Sequence, residues 1–209
     1  MFRYGFAGAV LSLALASAAA AETFQSFETL CLSTDADARA AEVAAKGTGW
    51  SDVTAQMAAE MGDMGEEFQD IAVYLNFDPA DAAAGLASVD SMEILMTGWG
   101  DGEAVMDTKG VVLDLCGVMS PDADALTMAK LLSDHLGVPA STDGEERLWL
   151  YSRQGGRFVS DAALADAEDE TILAAARERS LYAVYVLDED GMAGLFVGAV
   201  RPEAKAPDR

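Results

Sequence analysis

The chain has 209 residues, about half of them hydrophobic, and a formal net charge of −23 at pH 7. A charge this negative repels phosphate backbones and anionic membrane surfaces, which argues against a protein that binds nucleic acid. The length after a short leader suits one globular domain, which we place at residues 22–200.

The first 21 residues have the three parts of a secretory signal peptide. Met1–Arg3 carries one positive charge, Phe6–Ala16 is an apolar run, and Ala19–Ala21 is a small-residue cleavage site. The apolar run is shorter than the roughly 20 residues that a membrane-spanning helix needs. We therefore expect a cleaved leader over residues 1–21, a mature chain that begins at Glu22, a periplasmic or secreted location, and no membrane span after cleavage.

Cys31 and Cys116 are the only cysteines of the chain. In an oxidising compartment, an even number of cysteines favours pairing. The bridge would close a loop of about 85 residues, which the chain-entropy model values at about 4.6 kcal/mol. The sequence therefore predicts a Cys31–Cys116 disulfide.

The N-terminal part of the domain is predicted to be helical. Asp35 or Asp37 can cap a helix over Ala38–Ala45. Apolar residues at helical spacing predict further helix, in pieces, within Ser51–Leu75. Cys31 would then attach an N-terminal helical segment to the rest of the fold.

From residue 91 the pattern changes to that of strands. Met92–Thr97 and Val111–Val118 are apolar, and a short strand over Glu103–Met106 can lie between them. Ser120–Asp122 (SPD) has the residue types of a helix start, and Gly137 is a typical helix end.

The last third of the domain is predicted to contain four strands and one helix. The strands are Arg147–Arg153, Arg157–Val159, Leu181–Leu187 and Met192–Val200. The helix begins at Ser160 or Asp161 and runs to about Arg179. Because tight turns require antiparallel pairing, we predict an α+β fold, with an antiparallel sheet of about five to six strands and helices mainly on one face. Residues 201–209 are expected to form a flexible C-terminal tail.

No motif in the sequence defines a catalytic, cofactor or metal site, and we predict none of these. The only histidine, His135, lies near the end of a predicted helix, where a positive charge complements the helix dipole. The basic cluster Arg147, Arg153 and Arg157 is expected to pair with nearby acids rather than to bind an anion. The three tryptophans are expected to pack in the core rather than line a binding groove; they are Trp50, Trp99 and Trp149.

These observations favour an exported, non-catalytic binding domain for a protein or a small ligand, and the negative charge would suit a cationic one. Two alternatives are left open. A pair of carboxylates could make the protein a hydrolase of cell-envelope glycans. Met57, Met61 and Met64, at helical spacing, could make it a copper carrier because thioethers are ligands for Cu(I).

We expect exported protein to begin at Glu22, because the cleavage site is defined by small residues at its first and third positions. N-terminal sequencing of material from the periplasm or the medium measures this. Replacing Ala19 with arginine should leave the leader attached, as a control on the assigned site. Exported wild-type protein that still begins at Met1 would contradict the prediction.

Overall fold

The computed structural model of the chain describes residues 18–57, 68–77, 92–103, 108–121, 123–142, 147–189 and 191–205. Its strands are β1 (Ser51–Asp52), β2 (Asp70–Asn76), β3 (Glu93–Asp101), β4 (Val111–Ser120), β5 (Leu148–Gln154), β6 (Arg157–Ser160), β7 (Leu181–Glu189) and β8 (Met192–Pro202). Its α-helices are α1 (residues 18–27), α2 (Ala38–Gly47), α3 (Thr54–Met57), α4 (Ala125–Leu136) and α5 (Asp169–Glu178). Single helical turns of other types occur at Glu28–Leu32, Ala162–Leu164 and Glu203–Lys205.

The strands form one antiparallel sheet in the order β1-β2-β3-β4-β8-β7-β5-β6. The predicted α+β class and antiparallel sheet are therefore confirmed, but the predicted number of five to six strands is wrong, since the sheet has eight. The clearest difference is β2, which overlaps the end of the segment Ser51–Leu75 that is predicted to be helical in pieces. Ile71 and Leu75 match helical spacing, but they also face the same side of a strand, and a short apolar run does not separate the two patterns.

The sheet consists of two units with the same topology. In the first unit, α2 precedes the meander β2-β3-β4 and packs against β3 and β4. In the second unit, α4 precedes β5, β7 and β8 and packs against β7 and β8, while β6 and α5 are inserted between β5 and β7. The last strands of the two units, β4 and β8, pair at the centre of the sheet. This order is that of two halves related by an approximate two-fold axis between β4 and β8.

The two faces of the sheet differ in burial. The helix face, which includes Cys116, Val184 and Val197, is covered by α1, α2 and α4, and these three residues are fully buried. The open face, which includes their strand neighbours Leu115 and Gly198, is only half-buried over much of its area. One part of the open face is covered by α5 and the turn before it. Most of the helical packing is thus on one face, in the predicted manner.

Capping residues set the helix boundaries. Asp37, one of the two predicted caps, accepts a hydrogen bond from a backbone N–H of α2 at 2.7 Å. In contrast, α4 begins later than predicted, because Asp124 caps it and Ser120 is the last residue of β4. Gly137 ends α4 in the left-handed conformation, with a φ of 65°, as the sequence predicts.

The C-terminal hairpin of β7 and β8 is confirmed and is longer than predicted. β8 continues through Pro202, past the expected domain end at residue 200, and Arg201 is only 4% exposed. The helix predicted from Ser160 or Asp161 instead begins at Asp169, after a single 3-10 turn.

Several predictions fall on residues outside the described ranges. These are most of the leader (residues 1–17), most of the short strand predicted over Glu103–Met106, and two of the three methionines, Met61 and Met64. Within the described ranges, no helix has the length and apolarity that a membrane span requires.

The predicted disulfide joins the N-terminal helical segment to the centre of the sheet. The sulfur atoms of Cys31 and Cys116 are 2.00 Å apart, and both residues are fully buried. Cys31 lies in the helical turn that follows α1, and Cys116 lies on the helix face of β4. The bond therefore holds this turn against the central strand.

Close to the disulfide, a buried arginine of β8 makes a second connection between the loop before α2 and the sheet. Arg201 pairs through Nε with Asp114 of β4 at 3.1 Å and through Nη1 with Asp35 at 3.1 Å. The hydroxyl of Tyr182 donates to the same Asp35 carboxylate at 2.8 Å, and Arg153 lies 3.1 Å from its other oxygen. The loop between Cys31 and α2 is thus fixed to β4, β5, β7 and β8 at once.

Replacing Arg201 with methionine should lower the free energy of unfolding by about 3–5 kcal/mol, because Asp114 and Asp35 would both lose the buried positive charge that pairs with them. Urea denaturation at pH 7 measures this. The matched control is Arg177→Met, since Arg177 is exposed and donates only to the carbonyl of Lys109; its loss should be about 1 kcal/mol or less. Equal losses in the two variants would contradict the assigned role of Arg201.

Candidate functional site

The single histidine is held by packing. The His135 ring lies between Phe24 and Phe158, with centroid distances of 5.9 and 5.6 Å. Its Nδ1 is 3.7 Å from a carboxylate oxygen of Glu28. The residue is in the last turn of α4, where the sequence predicts a structural role.

Arg153, one of the three arginines of the predicted basic cluster, pairs with an acid that is distant in the sequence. Arg153 points to the loop before α2, where it binds Asp35 and donates to the carbonyl of Leu32 at 3.0 Å. Asp161, an expected partner of the cluster, pairs instead with Arg179 at 2.7 Å. Arg153 therefore has a structural role, because it holds the loop before α2.

The tryptophans do not line a shared groove. Trp149 is 1% exposed, and its indole N–H donates to the hydroxyl of Ser133 at 3.2 Å. Trp50 is 8% exposed and belongs to the same hydrophobic core. Trp149 therefore packs in the predicted manner. Trp50 packs against the core and also lines a polar cavity at the edge of the sheet.

A carboxyl group with a perturbed pKa lies under α2. Burial raises the pKa of Glu42, and the negative charge of Asp70 adds to the effect. The carboxylate accepts hydrogen bonds from Tyr74 at 3.3 Å and Thr97 at 3.4 Å. Glu42 lies between α2 and the sheet, and the ammonium group of Lys46 is 3.9 Å from its carboxylate.

Metal-binding geometry is not found among the described residues. No group of three or more histidine, cysteine, aspartate or glutamate side chains there could hold a metal ion. Of the three methionines proposed to bind copper, only Met57 is in the described part, in the short helix α3.

The open face of the sheet carries an apolar cavity of about 210 Å³. Its floor is formed by strand residues that include Leu115, Ala183 and Gly198. Ile172 of α5 lines one side and Phe68 lines another. The cavity is half-open to solvent, and its wall is almost entirely apolar.

The cavity exists because a strand position at its floor has no side chain. Gly198 of β8 lies between Leu115 of β4 and Ala183 of β7 in the antiparallel register. A Cβ atom built on Gly198 would have no heavy atom within 4 Å. Gly198 therefore faces open space on the sheet rather than a neighbour that demands a glycine.

A second glycine, two residues further along β4 than Leu115, is covered by a side chain of the paired strand. Gly117 of β4 faces Phe196 of β8, and a Cβ atom on Gly117 would lie 2.1 Å from the ring of Phe196. The ring covers the glycine and stacks on Tyr185 at a centroid distance of 5.3 Å. The pairs Gly117–Phe196 and Leu115–Gly198 thus have the same glycine-against-large pattern, but the leucine does not cover its glycine.

The polar residues that line the cavity include two carboxylates, Asp114 and Asp161, and each of them pairs with an arginine. The side chain of Asp161 is 10% exposed and pairs with Arg179, while its backbone N–H donates to the carbonyl of Leu150 at 2.9 Å. The wall of the cavity therefore offers mainly apolar contact. This combination is typical of a binding site for a small apolar group.

Comparison of the chain with protein-family models, with curated proteins and with solved structures finds no match in any of the three. The candidate site is therefore inferred from the geometry of the cavity alone. Sequence analysis did not single out either glycine, although a glycine inside an apolar strand is a known signal of close approach or of an unfilled position.

The two glycines should respond oppositely to the same substitution. Gly198→Ala should raise the free energy of unfolding by about 0.5–1 kcal/mol, because alanine costs less backbone entropy and its methyl group enters open space. Gly117→Ala should lower it by about 1–3 kcal/mol, because the Phe196 ring must move. Urea denaturation of both variants measures this difference, and a loss of stability in Gly198→Ala would show that the floor of the cavity is not open.

Proposed function

We propose that the protein is an exported, non-catalytic binding domain, and that the apolar cavity on the open face of its sheet is the ligand site. The observation that supports this proposal is the open space above Gly198, at the centre of an otherwise closely paired sheet. Leaving apolar surface unfilled costs stability, so a ligand that fills it is bound favourably.

The size of the cavity defines the class of ligand. A volume of about 210 Å³ exceeds the cavity of about 150 Å³ that is known to hold benzene. It is smaller than the roughly 300–1,000 Å³ of sites for drug-sized molecules. The cavity therefore suits a single aromatic ring or a short aliphatic chain, either as a small molecule or as the end of a larger one.

One further observation supports an exported binding protein, and a second is compatible with cleavage of the leader. The Cys31–Cys116 bond is fully buried at the centre of the fold, and disulfides of this kind are typical of oxidising compartments. Ala20, which cleavage after Ala21 would remove, is packed in the core in the described chain. Its removal would cost roughly 1 kcal/mol of apolar burial, which a domain of this size tolerates.

The two alternative functions, a hydrolase of cell-envelope glycans and a copper carrier, stay predictions and gain no support from the described residues. A glycan hydrolase needs two carboxyl groups facing one another across a cleft. Asp114 and Asp161 both line the apolar cavity. Asp114 pairs with Arg201, and Asp161 pairs with Arg179.

Binding of toluene and n-hexane tests the proposal. We expect saturable shifts of the methyl NMR signals of Leu115, Leu150 and Ala183, all of which line the cavity. Leu115→Phe should weaken this binding by about tenfold or more, because the larger side chain would cover Gly198 as Phe196 covers Gly117. Gly198→Leu should do the same by filling the space directly.

The matched control for the second variant is Gly47→Leu. Gly47 ends α2 on the surface, and a Cβ atom there also meets nothing within 4 Å. This variant should bind both probes like the wild type. Absence of saturable shifts in the wild-type protein, or equal binding by all variants, would overturn the proposed site.

A further inference from the structure

A second, polar cavity lies where α1 meets the edge of the sheet. It has a volume of about 350 Å³, within the range of small-molecule sites. Its wall includes Glu22 and Ser26 of α1, Trp50 before β1, and Asn76 and Glu93 at the paired ends of β2 and β3. It shares no residue with the apolar cavity.

The inner wall of this polar cavity contains a buried carboxylate. Glu93 is only 8% exposed. Its Oε2 accepts hydrogen bonds from the Ser26 hydroxyl at 2.8 Å and the Asn76 side-chain amide at 3.1 Å. Its Oε1 is buried and has no hydrogen-bond partner among the described residues.

The negative charge of Glu93 has no counter-charge in the described part of the chain. No lysine, arginine or histidine side chain there forms an ion pair with it, and none lines the cavity. The other buried carboxylate of the fold, Asp114, has Arg201 at 3.1 Å. A buried charge without a partner is costly, and a cation brought from outside would remove that cost.

We infer that the Glu93 cavity binds a small organic cation that carries a primary ammonium group. The ammonium would be attracted by Glu93 and by the indole of Trp50, since aromatic faces attract cations. Hydroxyl and amide oxygens of the wall supply acceptors for its N–H groups. Two carboxylates without a third ligand make a poor cage for a bare metal ion, and the volume fits an organic molecule.

Titration with n-butylammonium, followed by calorimetry and by the NMR signals of the Asn76 amide and the Trp50 indole N–H, tests this inference. We expect saturable binding that weakens as salt is raised, because the attraction is electrostatic. The uncharged n-butanol has the same chain and should not bind at comparable concentration. Binding of both compounds alike would overturn the inference.

A pair of charge-neutralising variants locates the site. Glu93→Gln keeps an oxygen that accepts from Ser26 and Asn76 but removes the charge, and it should weaken n-butylammonium binding by about tenfold or more. Glu22→Gln makes the same change at the exposed rim and should weaken binding by about threefold or less. Equal effects of the two variants would point to general attraction by an acidic surface and would contradict a site at Glu93.

The toluene titration separates this inference from the proposed function. Both glutamate variants should still bind toluene, which also shows that they are folded. If Glu93→Gln fails to fold, the comparison of n-butylammonium with n-butanol on the wild-type protein still decides the question. No saturable binding of n-butylammonium at about 10 mM would overturn the inference, whatever the outcome with toluene.

Discussion

The fold depends on the attachment of one short loop to the centre of the sheet. Asp35 and Ala36 both have left-handed backbone conformations, with φ of 62° and 57°, which cost about 1–2 kcal/mol each in residues other than glycine. The Cys31–Cys116 bond on one side and Arg201 on the other hold the loop in this conformation. Because the loop joins α1 to α2, its attachment places both helices on the helix face and completes the core there.

The helices cover the helix face of the sheet almost completely, so the apolar cavity lies on the open face. The two units of the sheet meet at β4 and β8, and glycines there lie opposite large side chains of the paired strand, among them Gly117 of β4 and Gly198 of β8. Phe196 covers Gly117, whereas Leu115 leaves Gly198 bare. The apolar cavity is thus a small departure from the symmetry of the two units. A single ring in place of a leucine would remove it, so the feature can be lost without any change to the fold.

The features of the fold that depend on local signals could be predicted from the sequence. Pairing of the two cysteines, the Asp37 cap and the hairpin of β7 and β8 each depend on residues within a few positions or on a count. The start of α4 was predicted too early because Ser120 is engaged in the β4–β8 ladder, and strand pairing outweighs a local capping signal. The apolar cavity depends on which residue faces Gly198 across the sheet, and this register is not visible without the structure.

The acidic residues of this fold have two different roles, one for those exposed to solvent and one for those that are buried. The acidic residues lie mostly at exposed or half-exposed positions, where a solvated carboxylate keeps the protein soluble and needs no particular partner. Glu93 and Asp114 are the exceptions among the described acids, because both are buried. Asp114 is neutralised by Arg201 and so belongs to the framework that fixes the loop before α2. Glu93 has only neutral donors beside it and borders a cavity large enough for a ligand. At Asp114, the buried carboxylate forms an ion pair within the protein that stabilises the fold. At Glu93, a buried carboxylate with neutral donors favours binding of a cation from outside.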